Sequence, residues 1–140
     1  MAEDLTPQLR RIIDRTGVKV EDAILDFSQR IAEEAIKLTP VDTGFLRASW
    51  YTSIGTPAGN GVPSAKSPKG TPPSPVILAS MQMTLMNASA GDTVYIMNGA
   101  KYAAQVEYGT SGRPGRRFVG RTVAKAGFIA NQLIAEYRVR

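Results

Sequence analysis

The chain has 140 residues, of which 43% are hydrophobic and 21% charged, with a formal net charge of +5 and neither cysteine nor histidine. This length predicts a single domain over residues 1–140, which would bury roughly 68–70% of its unfolded surface without a disulfide. The missing side chains exclude Ser-His-Asp and Cys-His catalytic groups and histidine-ligated metals, so we expect neither a metal nor another cofactor.

The charge is unevenly distributed along the chain. The first 42 residues hold nine acidic and six basic residues, a net charge of −3, whereas the remaining 98 hold three acidic and eleven basic ones, a net charge of +8. No apolar stretch approaches the ~20 residues of a membrane span, and the acidic start lacks the apolar segment of a signal peptide. We therefore expect a soluble protein, made inside the cell, with no membrane partner.

Two helices are predicted at the start of the chain. Thr6-Pro7 is typical of a helix start, with a hydroxyl N-cap and proline at the first helical position, and Gly17 is suited to end the helix. Residues 1–17 are thus a short N-terminal helical segment. A long helix is predicted over residues 18–39, ended by Pro40, because its apolar residues follow the 3.6-residue period. These residues are Val20, Ile24, Phe27, Ile31, Ala35 and Leu38.

A strand and a long loop are predicted next. The segment Phe45–Ile54 is rich in aromatic and β-branched residues, which favours a strand over its full length. The segment Gly55–Pro75 holds four glycines and six of the nine prolines. It cannot bury an apolar face and is predicted to be an extended flexible loop or arm, with a reach of roughly 70 Å at ~3.3 Å per residue.

The next part of the chain predicts three short elements. Val76–Ala88 fits a helix with Ile77, Met81, Leu85 and Ala88 on one face, although the run is also compatible with a strand. A strand is predicted at Val94–Met97, followed by a turn at Asn98-Gly99. A short helix at Lys101–Tyr108 is ended by Gly109. The methionines at 81, 83, 86 and 97 are expected to fill a core or an oligomer interface.

The chain is predicted to end in a helix of about five turns. Its apolar residues are again spaced by three and four, at Val119, Val123, Ala126, Ala130, Leu133 and Tyr137. Together the elements predict an α+β fold. In this fold the long N-terminal helix and the C-terminal helix pack on a small, mostly antiparallel sheet, with the long Pro/Gly-rich loop leaving it.

The triplet Asp42-Thr43-Gly44 has two interpretations. It is the residue triplet of the aspartic proteases, in which two carboxylates share one proton, and a homodimer could supply both. A protease aspartate, however, follows a hydrophobic strand, whereas this one follows a helix that ends at Pro40. We favour a structural turn, in which Asp42 accepts hydrogen bonds from nearby backbone N–H groups and Gly44 gives the backbone its freedom.

The densest cluster of charge consists of arginines in and after a loop over residues 110–117: Arg113, Arg116, Arg117 and Arg121. Such a cluster can bind phosphate or an acidic protein surface, or can be a solvated loop. We favour a protein–protein contact, since no aromatic residues stand between the arginines to stack single-stranded bases.

Three segments in this order resemble a known family. They are TPVDTGFLRAS at residues 39–49, VYIMNGAKY at 94–102 and AAQVEYGTSGRPGRRF at 103–118. They are similar to the tail-completion, or neck, proteins of tailed bacteriophages, the small tail components of lambda-like siphophages. In that family the D-T-G triplet has a non-catalytic role. The resemblance spans residues 18 to 138, with Gly55–Pro75 as a variable loop.

The resemblance implies a structural virion protein without enzymatic activity. It would join the head connector to the tail tube as a component of a tail-completion ring, with six-fold or twelve-fold symmetry. Its expected partners are further copies of itself, the neighbouring head-connector and tail-tube proteins, and DNA that passes through the lumen without sequence-specific binding. It would be found in the neck or tail of the virion, and in the host cytoplasm during assembly.

The predicted interface combines the four arginines with three residues of the quoted segments. These are Arg47, Tyr102, Glu107, Arg113, Arg116, Arg117 and Arg121. A ring needs two complementary surfaces, and the acidic N-terminal helix of one copy could face the basic loop of the next.

Other functions remain open. Within the same assembly the chain could be a tail terminator or a head-completion protein. From other classes come a basic nucleic-acid-binding module and, last, a dimeric aspartic protease that uses Asp42.

Overall fold

The fold contains two long helices, four shorter helices and four short strands within the residues that the computed structural model describes, which are 3–40, 45–57 and 74–139. In chain order they are α1 (Thr6–Thr16), α2 (Val20–Leu38), α3 (Phe45–Ala48), β1 (Trp50–Ile54), α4 (Ser74–Leu85), β2 (Val94–Asn98), α5 (Ala103–Tyr108), β3 (Gly109–Thr110), β4 (Arg113–Pro114) and α6 (Phe118–Arg138). The fold class is therefore α+β, as predicted. Most of the predicted arm, residues 58–73, lies outside the described residues. The predicted end of the arm at Pro75 is wrong, because Ser74 and Pro75 form the start of α4, where proline is tolerated in the first turn.

The start of α1 differs in detail from the prediction. Thr6 is the first helical residue and its side chain caps nothing; instead Asp4 Oδ1 accepts the Thr6 N–H at 2.9 Å. The hydrogen bonds from Thr6 lower the pKa of Asp4 below its ordinary value. At the other end Gly17 has φ +68°, the left-handed conformation that glycine adopts without strain, and it ends the helix as predicted.

The helix α6 packs against both α1 and α2. Their apolar faces form one core cluster, in which Ile12, Phe27, Ile31, Ala130 and Leu133 are buried. Polar contacts along the helix pair show that α2 and α6 run antiparallel. Tyr137 donates to Asp26 near one end of the pair, Arg30 pairs with Glu136 at 2.6 Å, and Lys125 pairs with Glu34 at 3.1 Å.

The strands form two separate antiparallel pairs among the described residues. In the larger pair β1 lies beside β2, with Trp50 opposite Asn98 and Ile54 opposite Val94. The Asn98 amide ends this pair by donating to the Leu46 carbonyl and accepting the Ala100 N–H, at 2.8 and 3.0 Å. The second pair is the tight hairpin of β3 and β4.

The prediction of a strand from Phe45 is wrong for its first half. Residues Phe45–Ala48 form the helical turn α3, and β1 begins only at Trp50. The turn is stabilised by groups distant in sequence, since Arg47 donates to the carbonyls of Thr39 and Lys37 at 2.8 and 3.0 Å, at the end of α2. Aromatic and β-branched composition carries no information about these bonds.

A second core cluster joins the sheet to α2, α4 and the start of α6. The only tryptophan, Trp50, packs edge-to-face on Phe118, with ring centroids 6.0 Å apart, and its indole N–H donates to Thr39 Oγ1 at 2.8 Å. The prediction of a helix at 76–88 is confirmed, and its predicted inner face is buried, with Ile77, Met81, Leu85 and Ala88 all below 7% exposed. Among the described helices, none combines the length and the apolar character that crossing a membrane would require.

Candidate interaction surface

The hairpin of β3 and β4 folds back tightly onto the end of α5. The N–H groups of Arg116 and Arg117 donate to the carbonyls of Val106 and Glu107, at 2.8 and 3.1 Å. A Cβ on Gly115 would lie 2.5 Å from the Glu107 carbonyl oxygen, closer than atoms can approach. The hairpin is therefore held at a fixed position against α5.

Glu107 connects α5 to α6. Its side chain is 5% exposed, and its two carboxylate oxygens accept the N–H groups of Val119 and Gly120 at 2.7 and 2.9 Å. These donors belong to the first turn of α6, where no intrahelical acceptor is available and the helix dipole favours a negative charge. The predicted interface residue Glu107 thus has a role inside the chain, and we leave it out of the interface proposed below.

The four arginines are exposed around this junction. Arg117 has φ +50° and ψ +38°, a left-handed conformation that is uncommon for a residue with a side chain. Its guanidinium carbon lies 5.2 Å from the ring centroid of Tyr108, which is a cation–π contact. Arg116 precedes it, Arg121 lies one turn into α6, and Arg113 is in β4. We call Arg113, Arg116, Arg117 and Arg121 the arginine cluster.

The other two predicted interface residues lie by α3. Arg47 is half-buried and binds the last carbonyls of α2, as described above. Tyr102 is 39% exposed, and its ring centroid lies 6.2 Å from that of Phe45. Both are predicted to lie in one interface with the arginines, but the structure gives each of them contacts at the junction of α2, α3 and α5.

The acidic residues of α2 are partly engaged within the chain. The Glu21 carboxylate accepts the Ala90 N–H at 3.0 Å, Asp26 accepts from Tyr137 and Glu34 pairs with Lys125. The hydrogen bond with Glu136 is the main cause that raises the pKa of Arg30 above its ordinary value. The helix that was predicted to be an acidic docking face therefore directs much of its charge to partners in its own chain.

Three exposed apolar residues lie on or next to α4, and two of them are methionines that were expected to fill a core or an oligomer interface. Val76, Met83 and Met86, on or next to α4, are 54%, 71% and 65% exposed. Met81, in contrast, lies in the core. The methionines of this segment therefore divide between the core, which holds Met81, and the surface, which holds Met83 and Met86. The signal that could have found this surface is the absence of any charged residue from Ser74 to Gly91.

The described residues offer no metal site, since no three Asp or Glu side chains among them lie close enough together to hold an ion. The predicted turn at Asp42, Thr43 and Gly44 lies outside the described residues. The chemistry that the surface itself offers is a concentrated positive charge held at a rigid junction, and an uncharged apolar helix face.

Comparison with known proteins gives one family. The sequence model of the family described as "Bacteriophage HK97-gp10, putative tail-component" matches residues 3–109. The match ends at the first residue of β3, so most of the hairpin, the arginine cluster and α6 lie outside it. No curated protein and no solved structure matches the chain.

Proposed function

The chain belongs to the HK97-gp10-like family of phage tail components, and we propose that it is a tail-completion protein of the neck. In this role several copies form a ring that joins the head connector to the tail tube, and DNA passes through its lumen. A tail component has other virion proteins as its partners and the virion as its location. A structural role in the tail favours a protein without enzymatic activity.

The observation that carries the docking part of this proposal is the arginine cluster. Its four side chains are exposed on a junction that backbone hydrogen bonds and the Glu107 carboxylate hold in place. A rigid surface loses little conformational entropy on binding. Because three acidic residues of α2 are engaged within the chain, we assign the cluster to an acidic surface on a neighbouring connector or tail protein.

The joining role is tested by imaging particles from a phage that lacks this chain. We expect DNA-filled heads beside free tails of normal length, because both parts assemble but do not connect. Tails of abnormal length would instead identify a tail terminator, and heads that lose their DNA would identify a head-completion protein. Infectious particles with attached tails would refute every neck function.

The docking surface is tested by reversing its charge. The variant R113E/R116E/R117E should fold normally but fail to join heads to tails. The matched control is R10E/R15E/R138E, which changes the net charge equally at three other exposed arginines. Normal joining in the first variant would contradict the assignment. The assignment would also be contradicted if the purified wild-type chain bound duplex DNA with a steep salt dependence and the first variant no longer bound it.

We also propose that residues 55–73, which precede α4, act as an arm that contacts the adjacent ring. This proposal rests on their glycine and proline content. Replacing residues 58–72 with a Gly/Ser linker of equal length keeps the chain connection but removes the sequence. The replacement should leave the melting temperature unchanged and lower the number of joined particles. Wild-type infectivity would show that the arm has no such role.

A further inference from the structure

The outer face of α4 is exposed, uncharged and mostly apolar. Its apolar residues are Val76, Ala79, Met83 and Met86, spaced by three, four and three residues as on one side of a helix, and its polar residues are Ser80 and Asn87. Met86 follows the last residue of α4 and continues the helix, since its N–H donates to the Gln82 carbonyl at 3.0 Å. Single exposed apolar residues are common at a protein surface, whereas several large ones grouped on one side of a helix are normally covered by a partner. This face is therefore a contact surface of the assembled protein.

The partner of this face must itself be uncharged. A charged group placed against Val76, Met83 and Met86 would lose its hydration and gain no hydrogen bond. The outer sides of α1, α2 and α6 do not meet this condition, because each carries exposed charged residues. Examples are Arg10, Asp14 and Arg15 on α1, Asp22, Glu33 and Lys37 on α2, and Arg121, Lys125 and Arg138 on α6.

One surface of the sheet does meet the condition. Side chains alternate across a strand, and Trp50 and Thr52 point into the core. Tyr51 and Ser53 alternate with them along β1, and their partners across the pair are Met97 and Tyr95. These four residues therefore form the outer face of the sheet, which is half-buried and uncharged. Its two tyrosines and one methionine offer large side chains that pack well against methionines.

The two faces point away from each other. The hydroxyl of Thr52, on the inner side of the sheet, donates to the Met81 carbonyl at 3.1 Å, so α4 covers the inner side. Met83 follows Met81 by two residues and lies about 200° further around the helix axis. The outer face of α4 and the outer face of the sheet are thus on opposite sides of the molecule. Two different complementary surfaces so placed produce a head-to-tail contact, which closes into a ring when the rotation between successive copies completes a full turn.

We propose that the outer face of α4 in one copy docks on the outer face of the β1–β2 sheet in the next copy. This inference rests on the proposed ring and names its subunit contact. It replaces the contact between an acidic helix and a basic loop expected from the sequence, and leaves the arginine cluster to face a different protein. The occupant of the α4 face is a second copy of this chain.

The absence of cysteine in the sequence permits a direct test by cross-linking. Each of two double variants, M83C/M97C and V76C/S53C, places one thiol on the α4 face and one on the sheet face. The two variants test different pairs of positions, so the result does not depend on one particular register between the copies. Phage tails assembled with each variant are treated with a short bis-maleimide and separated on a denaturing gel. We expect a ladder of covalent oligomers that ends at a closed ring, and monomers only from the single variants.

Each other outcome has a definite meaning. Dimers from M83C alone would show that α4 meets α4 and would overturn the head-to-tail contact. Monomers from both double variants, in tails that contain many copies of the chain, would also overturn it while the ring proposal stands. A single copy per tail, measured by quantitative mass spectrometry, would refute the ring itself and so the proposed function.

A charge placed on the face gives an independent test. The variant M83E should lose at least ten-fold in incorporation into tails, because the glutamate carboxylate would be dehydrated against the next copy. The matched control F128E replaces a residue that is 64% exposed on α6 and should be incorporated normally. Equal incorporation of the two variants, at equal melting temperatures, would overturn the proposal.

Discussion

Glu107 shows how one side chain can serve a different purpose from the one its sequence motif indicates. In the motif it is an acidic residue near several arginines, and it is predicted to belong to the interface. In the structure it is buried, and both oxygens accept N–H groups at the start of α6. The two N–H donors belong to residues twelve and thirteen positions further along the chain, so the local sequence around Glu107 could not reveal the cap.

Replacing Glu107 with alanine should therefore lower the free energy of unfolding by about 2–3 kcal/mol, since two hydrogen bonds to a charged acceptor are lost. Urea denaturation followed by circular dichroism measures the change. The control Gln105→Ala, at an exposed position of the same helix, should stay within about 0.5 kcal/mol of wild type. Equal stability of the two variants would contradict the capping role.

The hydrogen bond between Thr39 and Trp50 is predicted to contribute to stability. Its hydroxyl donates to the Ala35 carbonyl at 2.5 Å and accepts the Trp50 indole N–H at 2.8 Å, both in the core. Thr39→Val leaves that N–H unpaired, whereas in a Trp50→Phe background no N–H is present. The double-mutant cycle should give a coupling of about 1 kcal/mol between Thr39 and Trp50, measured by urea denaturation. Additive effects would show that the bond contributes nothing.

Among the elements, periodicity predicted those helices that bury one face. It predicted α2, α4 and α6, because each of them buries apolar residues spaced by three and four. It did not give α3, which depends on Arg47 binding the end of α2. The predicted buried face of α6 also differs from the observed one. Thr122 and Ile134 are buried but were not predicted, whereas the predicted Val119 and Tyr137 are only partly buried. Packing of α6 between two helices widens its buried face beyond one narrow stripe.

The close packing of the hairpin on α5 predicts that Gly115 cannot be replaced without a loss of stability. Gly115→Ala would place a Cβ 2.5 Å from the Glu107 carbonyl oxygen. Because the obstructing atoms are backbone, we expect a loss of about 3 kcal/mol of stability, seen as a lower melting temperature. Gly112→Ala is the matched control within the same hairpin, as nothing lies within 4 Å of its added Cβ. A tolerated Gly115→Ala would mean that the hairpin is not held tightly.

At the scale of the whole molecule, the two core clusters are joined by shared elements. The helix α2 contributes Ala32 and Ala35 to one cluster and Phe27 and Ile31 to the other. Ile96 of β2 packs against both clusters. Because these elements pass through both clusters, we expect the loss of one cluster to destabilise the other, as in a single domain.

This arrangement predicts one cooperative unfolding transition. Trp50 fluorescence reports the cluster around the sheet, and circular dichroism is dominated by the helices. The two signals should give the same urea midpoint, and Ile96→Ala should lower both midpoints equally. Two separate transitions would divide the chain into independently stable parts and would contradict the single domain that its length predicts.

The position of α6 also sets the order of events during synthesis. The helices α1 and α2 leave the ribosome before α6, which covers their apolar faces. These faces stay uncovered until α6 has been made, so a product terminated before α6 would keep them open and remain a target for chaperones and proteases. Truncation before α6 is therefore expected to remove the protein from the cell, even though every element that precedes α6 is intact.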